Sequence, residues 1–243
     1  MSGSMAVKCS KNLHALTTLK PCAGHPSGWT LIEACLSLAM ASVMVSLSLA
    51  GLQRVQNQAR SVMCRSHLGQ WGQATALYCL DNQDWLPLDG APNGRSLRQA
   101  WYVNLPLSLG IQGYHEQAWR TNRALSLPTS SIWICPSNPR RSNGINLFHY
   151  TLNRHVNGSG SGNQVKITTI PNPDQTIWLY DNAREAAVAG WNHVHTNLHG
   201  LGAHFGQLGG SVIHPHAKDY WDFELDRPRI MPRGMDWIPS LRE

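Results

Sequence analysis

GWTLIEACLSLAMASVMVSLSLAGLQ, residues 28–53, is an almost unbroken apolar run that carries a single acid, Glu33, near its front. The 24 residues from Trp29 to Leu52 exceed the roughly 20 apolar residues that carry a helix across a bilayer, and a transmembrane helix is expected. A buried core helix of that length would carry a polar stripe, which is missing. A secretory signal would put its basic start and short apolar stretch first; here a polar segment of 27 residues precedes the run. An ionised carboxylate at mid-membrane costs about 3 kcal/mol on insertion scales, so Glu33 implies a partner. The alternative is that residue 33, about one helical turn from Trp29, reaches interfacial water. Charge leaves the orientation open, because Lys8, Lys11 and Lys20 precede the run and Arg54, Arg60 and Arg65 follow it.

The helical pattern continues beyond the run. Leu52, Val55, Ala59, Val62 and Met63 share one face at helical spacing, and Trp71, Ala74, Leu77 and Tyr78 form a second set. One helix over 29–80 would extend about 78 Å at 1.5 Å per residue, with a bend favoured at Gly69 and Gly72, since each glycine costs about 1 kcal/mol against alanine. The first half reads as a membrane segment, 29–52, and the second as an amphipathic continuation, 53–80. From residue 81 short apolar runs alternate with Gly, Pro, Asn and Ser, the texture of strands and loops. Strands are expected at Ser131–Pro136 (SIWICP), Thr176–Asp181 (TIWLYD) and Gly202–Leu208 (GAHFGQL), with another within AAVAGWNHVHTN. VNGSGSGN reads as a flexible connection, its Asn157-Gly158-Ser159 as a turn. The pair Gly209-Gly210 between two short runs predicts a β-hairpin with a type I′ turn. An amphipathic helix that must bury a stripe against such strands gives an α+β fold, with the helix packed on an antiparallel sheet.

With every acid located after Gly28, the net charge of +6 falls to +3 once the three leading lysines are set aside. No dense basic patch with interleaved aromatics follows, except the short RPRIMPRG, so a nucleic-acid partner is not expected. The six cysteines contain no CxxC pair, which argues against structural zinc on cysteine. In an oxidising compartment Cys64, Cys79 and Cys135 would be available after the run, and one must stay unpaired. The chain lacks a G-x-S-x-G elbow, a phosphate-binding glycine loop and H-E-x-x-H, so nothing marks an enzyme and no cofactor is required. Half of the twelve histidines, His193, His195, His199, His204, His214 and His216, crowd into 24 residues. On strands His193 and His195 would share a face, as would His214 and His216. These six are the candidate ligands of a zinc or copper site, and a membrane-tethered metal-binding protein or hydrolase is the rival reading, although no metal is expected.

A polar leader, a glycine and then G-W-T-L-I-E resemble the N-terminal signal of type IV prepilins and pseudopilins. The resemblance implies cleavage by a prepilin peptidase between Gly28 and Trp29, removal of residues 1–28 as a cytoplasmic leader, and N-methylation of Trp29, where the family usually has Phe. It implies that Glu33 neutralises the N-terminal amine of a neighbouring subunit during assembly. Further landmarks, C-R-S-H-L-G-Q from Cys64, Y-C-L-D-N-Q-D-W-L-P from Tyr78, C-P-S-N from Cys135, and His199 nine residues ahead of Gly209-Gly210, are similar to a pseudopilin-like group of planctomycete and verrucomicrobial type with a terminal H-x9-DG hairpin. Two positions depart: His67 stands for Asn, and Gly209 for Asp, removing any part that acid plays in fixing His199. The same pattern implies a Cys64–Cys135 disulfide, the alternative being two buried thiols. The expected protein is a single-pass subunit of the bacterial inner membrane with a periplasmic head, 81–243. Its implied partners are the peptidase, like subunits, and a pilus or type II secretion assembly platform.

Overall fold

The computed structural model describes residues 28–90, 96–156, 164–229 and 233–239. Residues 1–27 of the predicted leader, the connection over 157–163 and part of RPRIMPRG lie outside that range. Two compact units divide at Ser48/Leu49, and one helix, α1 (Leu31–Asp81), contributes to both. Its first turn is closed by a capping box that the sequence reading passed over. Thr30 Oγ1 accepts the Glu33 N–H at 3.3 Å, and Glu33 Oε2 accepts the Thr30 N–H at 2.9 Å and hydroxyl at 3.0 Å. Through residue 48 the apolar side chains are exposed apart from half-buried Ala34; α1 is long and apolar enough to cross a membrane, and none of its apolar window is buried.

In the second unit α1 runs through Gly69 and Gly72 without the expected break. Gly72 has a packing reason: a Cβ there would lie 3.2 Å from the Cα of Gly210, so helix and hairpin meet backbone to backbone. The buried stripe also starts later than the hydrophobic pattern suggests. Cys64, His67, Leu68, Trp71, Ala74, Thr75 and Cys79 are buried at helical spacing, whereas Leu52, Val55 and Val62 remain 56%, 61% and 66% exposed. The helix stops where Gln83 and Asp84 take positive φ and Asn82 Nδ2 donates to the Tyr78 carbonyl at 2.7 Å.

The head is α+β. Five strands, β1 (Tyr150–Asn153), β2 (Ile177–Asp181), β3 (Val188–Ala189), β4 (Phe205–Gln207) and β5 (Val212–Ile213), form one sheet in the order β3-β1-β2-β4-β5. The pairs β1–β2, β2–β4 and β4–β5 are antiparallel as expected, but β3 joins β1 in parallel, so the sheet is mixed. All five residues of β2 are buried, which explains its unalternating sequence: both faces are covered. One face meets a core of Trp71, Trp101, Tyr114, Trp133 and Phe148; the other meets Tyr220, Met235 and Trp237. The buried indoles of Trp178 and Trp71 find acceptors, on Thr75 Oγ1 at 2.8 Å and on the Ile132 carbonyl at 3.0 Å. The short helices α2 (Trp101–Ser108) and α3 (Ala217–Tyr220) and the ribbon of β6 (Trp221–Asp222) and β7 (Arg227–Pro228) complete the head.

SIWICP is not a strand. Its backbone turns, with Ile134 N–H bonded to Ser131 O and Asn138 N–H to Cys135 O, while Ile132, Trp133, Ile134 and Cys135 are all buried. The Gly209-Gly210 hairpin forms, with Phe205 opposite Ile213, but only Gly210 takes positive φ, +93°. Gly210 N–H bonds to Gln207 O and Gln207 N–H to Ser211 O, the pattern of a turn followed by a glycine bulge rather than a type I′ loop. Gly209 serves close approach instead: a Cβ there would lie 1.9 Å from Asp174 Oδ1.

Candidate functional site

The residue that organises the histidine-rich segment is Asp181, the last of β2. Its backbone is fixed on two sides, N–H to the His204 carbonyl at 3.1 Å and C=O from the His195 N–H at 3.2 Å. Its side chain is fully buried. Oδ2 accepts the backbone N–H of His204 at 2.8 Å, lies 3.0 Å from His199 Nε2 and 3.5 Å from His204 Nδ1. The imidazoles are equally sequestered, with side chains 0% exposed for His199 and 3% for His204, and their rings lie 4.1 Å apart. Burial pushes the Asp181 carboxyl upward, but the close approach of His199 and the proximity of both imidazoles outweigh it and hold the group well below the usual carboxylate range.

The loop carrying His199 is tightly built. His199 N–H bonds to Gly202 O and Leu201 N–H to His199 O, with Gly200 at φ +79°. Gly202 is obligatory for space, since a Cβ would meet the Pro215 carbonyl at 2.5 Å and the Tyr220 hydroxyl at 3.0 Å. That hydroxyl ties the region together, accepting from Ala203 N–H at 2.9 Å and donating to His195 O at 2.8 Å.

Around this centre, His214 brings its ring to 4.5 Å from that of His204, and Ser61 Oγ on α1 lies 3.3 Å from His204 Nε2. A cavity of about 750 Å³ lies alongside, its lining including Arg54, Arg60, Ser61, His199 and His214. Ser61, His204 and Asp181 follow the order of a serine–histidine–carboxylate relay. However, Nδ1 of His204 makes no hydrogen bond, and the peptide N–H groups beside Ser61 are committed to the helix, so no oxyanion site is formed there. Asp181 Oδ1 and the Nδ1 atoms of His199 and His204 are buried without hydrogen-bond partners, each an unmet cost of about 1–3 kcal/mol.

Comparison with family models, curated proteins and solved structures finds no match, so the site is read from its own chemistry.

The other residues singled out from sequence fall in three places. Gly28, Trp29 and Glu33 are exposed, at and just ahead of the start of α1. Cys64 on α1 and Cys135 in the turning segment meet as a disulfide, S–S 2.14 Å, while Cys79 is a buried free thiol whose titration burial pushes up to about 11. Of the six histidines, only His199, His204 and His214 cluster. His193 closes a single turn at Trp191–His193, and His195 follows it in an irregular segment rather than on a shared strand face. His216 caps α3 through a reciprocal pair with Asp219, separated from His214 by Pro215 beyond the end of β5. The motif histidine, His199, is held by an acid after all, but by Asp181 rather than by residue 209. Asp181 and Ser61 were missed. The available signal was an acid closing an otherwise apolar strand in a chain whose histidines crowd the following 24-residue segment.

Proposed function

We propose that this chain is a pilin-like structural subunit, processed after Gly28 by a prepilin peptidase, methylated at Trp29 and drawn from the membrane into a pilus or pseudopilus. The observation that carries the reading is the combination at the start of α1: an exposed apolar helix whose first turn is closed by Thr30 and Glu33, one residue beyond the Gly28-Trp29 junction. The capping box engages only Oε2 of Glu33 among the described residues, leaving Oε1 for the amine of a neighbouring copy. The stripe of Leu52, Val55 and Val62, exposed in the single chain, offers the apolar surface that lateral helix packing in a filament buries. The Cys64–Cys135 disulfide suits an oxidising side of the membrane, in keeping with a periplasmic head and a cytoplasmic leader. The partners are the peptidase, like subunits and an assembly platform.

N-terminal sequencing of the protein recovered from membranes tests the proposal. A chain that begins at N-methylated Trp29 supports it; a mature chain that retains the residues before Gly28 refutes it.

A further inference from the structure

We infer that Asp181, His199 and His204 form a binding site for a divalent transition-metal ion, zinc being the ion whose ordinary ligands these are. Nitrogen and oxygen donors bound tetrahedrally at about 2.0–2.1 Å stand about 3.3 Å from one another. Asp181 Oδ2 stands 3.0 Å from His199 Nε2 and 3.5 Å from His204 Nδ1, and the three donor atoms all lie within 4.8 Å of one another. Hydrogen bonding alone accounts poorly for this arrangement. It uses one nitrogen of His199, leaves Nδ1 of His204 facing the carboxylate without a bond, and leaves Asp181 Oδ1 unpartnered. A cation among them takes the lone pair of His204 Nδ1 and neutralises a carboxylate withdrawn from water.

The outer contacts fit the same reading. Ligation through Nδ1 makes Nε2 of His204 the N–H bearing nitrogen, and Ser61 Oγ stands 3.3 Å from it as acceptor, the kind of partner that fixes the tautomer and orientation of a metal-bound histidine. The backbone N–H of His204 on Asp181 Oδ2 orients the carboxylate in turn. His199, His214 and Ser61 also line the adjacent cavity, giving an ion a way in from solvent.

A competing donor set shares His199. Cys64 and Cys135 lie within ligand distance of its imidazole, Cys135 Sγ at 3.7 Å from Nε2. In the disulfide these sulfurs are not thiolates and cannot serve as ordinary zinc ligands, so the oxidised protein isolates the aspartate–histidine site.

The test uses the full chain, purified in detergent without a histidine tag or reductant, stripped by chelator and titrated with Zn²⁺. One equivalent is expected to bind, with an X-ray absorption shell of nitrogen and oxygen only. Asp181→Asn and His204→Gln should each abolish stoichiometric binding. Because a buried variant can fail to fold, Ser61→Ala, on the helix surface, provides the second reading and should weaken binding by about 10–100-fold. His216→Gln should bind as the parent does. Absence of stoichiometric zinc, sulfur in the metal shell, or equal affinity of the parent and Ser61→Ala proteins would overturn the assignment.

Discussion

The Nδ1 atom of His149 accepts a hydrogen bond from the backbone N–H of Cys135 at 3.1 Å, while its Nε2 faces the Arg140 carbonyl at 3.3 Å. Both ring nitrogens are therefore used by the neutral imidazole, and a proton added at Nδ1 would confront an N–H donor. Burial, the leading cause, drives the titration of His149 down from 6.5 to about 4. The unfolded chain then binds more protons than the folded one between those values, so this contribution to stability is complete above about pH 6.5 and is lost as pH falls toward 4. The loss is about 3 kcal/mol at its fullest. His67, His195 and His214 are shifted the same way by burial and add to it. Urea unfolding of the detergent-solubilised chain across pH 7 to 4 should show the decline, and His149→Gln should flatten it. A profile level through that window would contradict the neutral, doubly bonded imidazole.

The disulfide between Cys64 and Cys135 closes a loop of 71 residues. In the chain-entropy view such a link is worth about 4 kcal/mol. Cys64→Ser with Cys135→Ser should lower the unfolding midpoint accordingly, and reductant should destabilise the parent but not the double variant. Peptide mapping without reduction should recover the linked pair, leaving Cys79 alkylatable only after unfolding.

Gly209→Ala should cost about 1–3 kcal/mol, because the new methyl would land on the Asp174 carboxylate and 3.2 Å from its Cα. Asp174→Gly in the same chain should recover much of the loss. Additive effects in that double-mutant cycle would show that the two positions do not compete for one space.

Gly28→Ala should leave an unprocessed chain of higher mass in the membrane. Glu33→Gln should be processed normally yet assemble poorly, and the readout is the mass of the mature chain beside the yield of sheared filaments. The glutamine amide oxygen still accepts from the Thr30 N–H, so the capping box is kept and the variant removes only the charge. Normal filaments from Glu33→Gln would rule out the charge as an assembly determinant.

The sequence was most legible where one periodicity governed a long segment. The helix, the β2 run and the Gly209-Gly210 hairpin were visible because length, an apolar strand or a glycine pair dominated locally. SIWICP misled because apolar and β-branched residues mark burial as readily as they mark a strand, and here Trp133 and Ile134 fill the core from a turning backbone. Conversely β1 was passed over: Tyr150–Asn153 is only four residues, buried throughout, and has no alternation to announce it. The helix stripe was misplaced because Leu52, Val55 and Val62 have the right spacing, and spacing alone does not say where the head begins to cover the helix. The histidine cluster was seen as a crowd. Which three converge depends on Asp181, 18 residues before His199, and on a strand pairing that brings His204 beside it.

The Thr30–Glu33 cap also bears on timing. Because the first turn is locked by its own residues, scission after Gly28 would leave Trp29 alone ahead of that lock, with no slack tether to be reeled in. In the proposed filament the newborn terminus would then emerge already aimed along the rod, so docking onto a growing end would spend little ordering entropy at the place where subunits would meet.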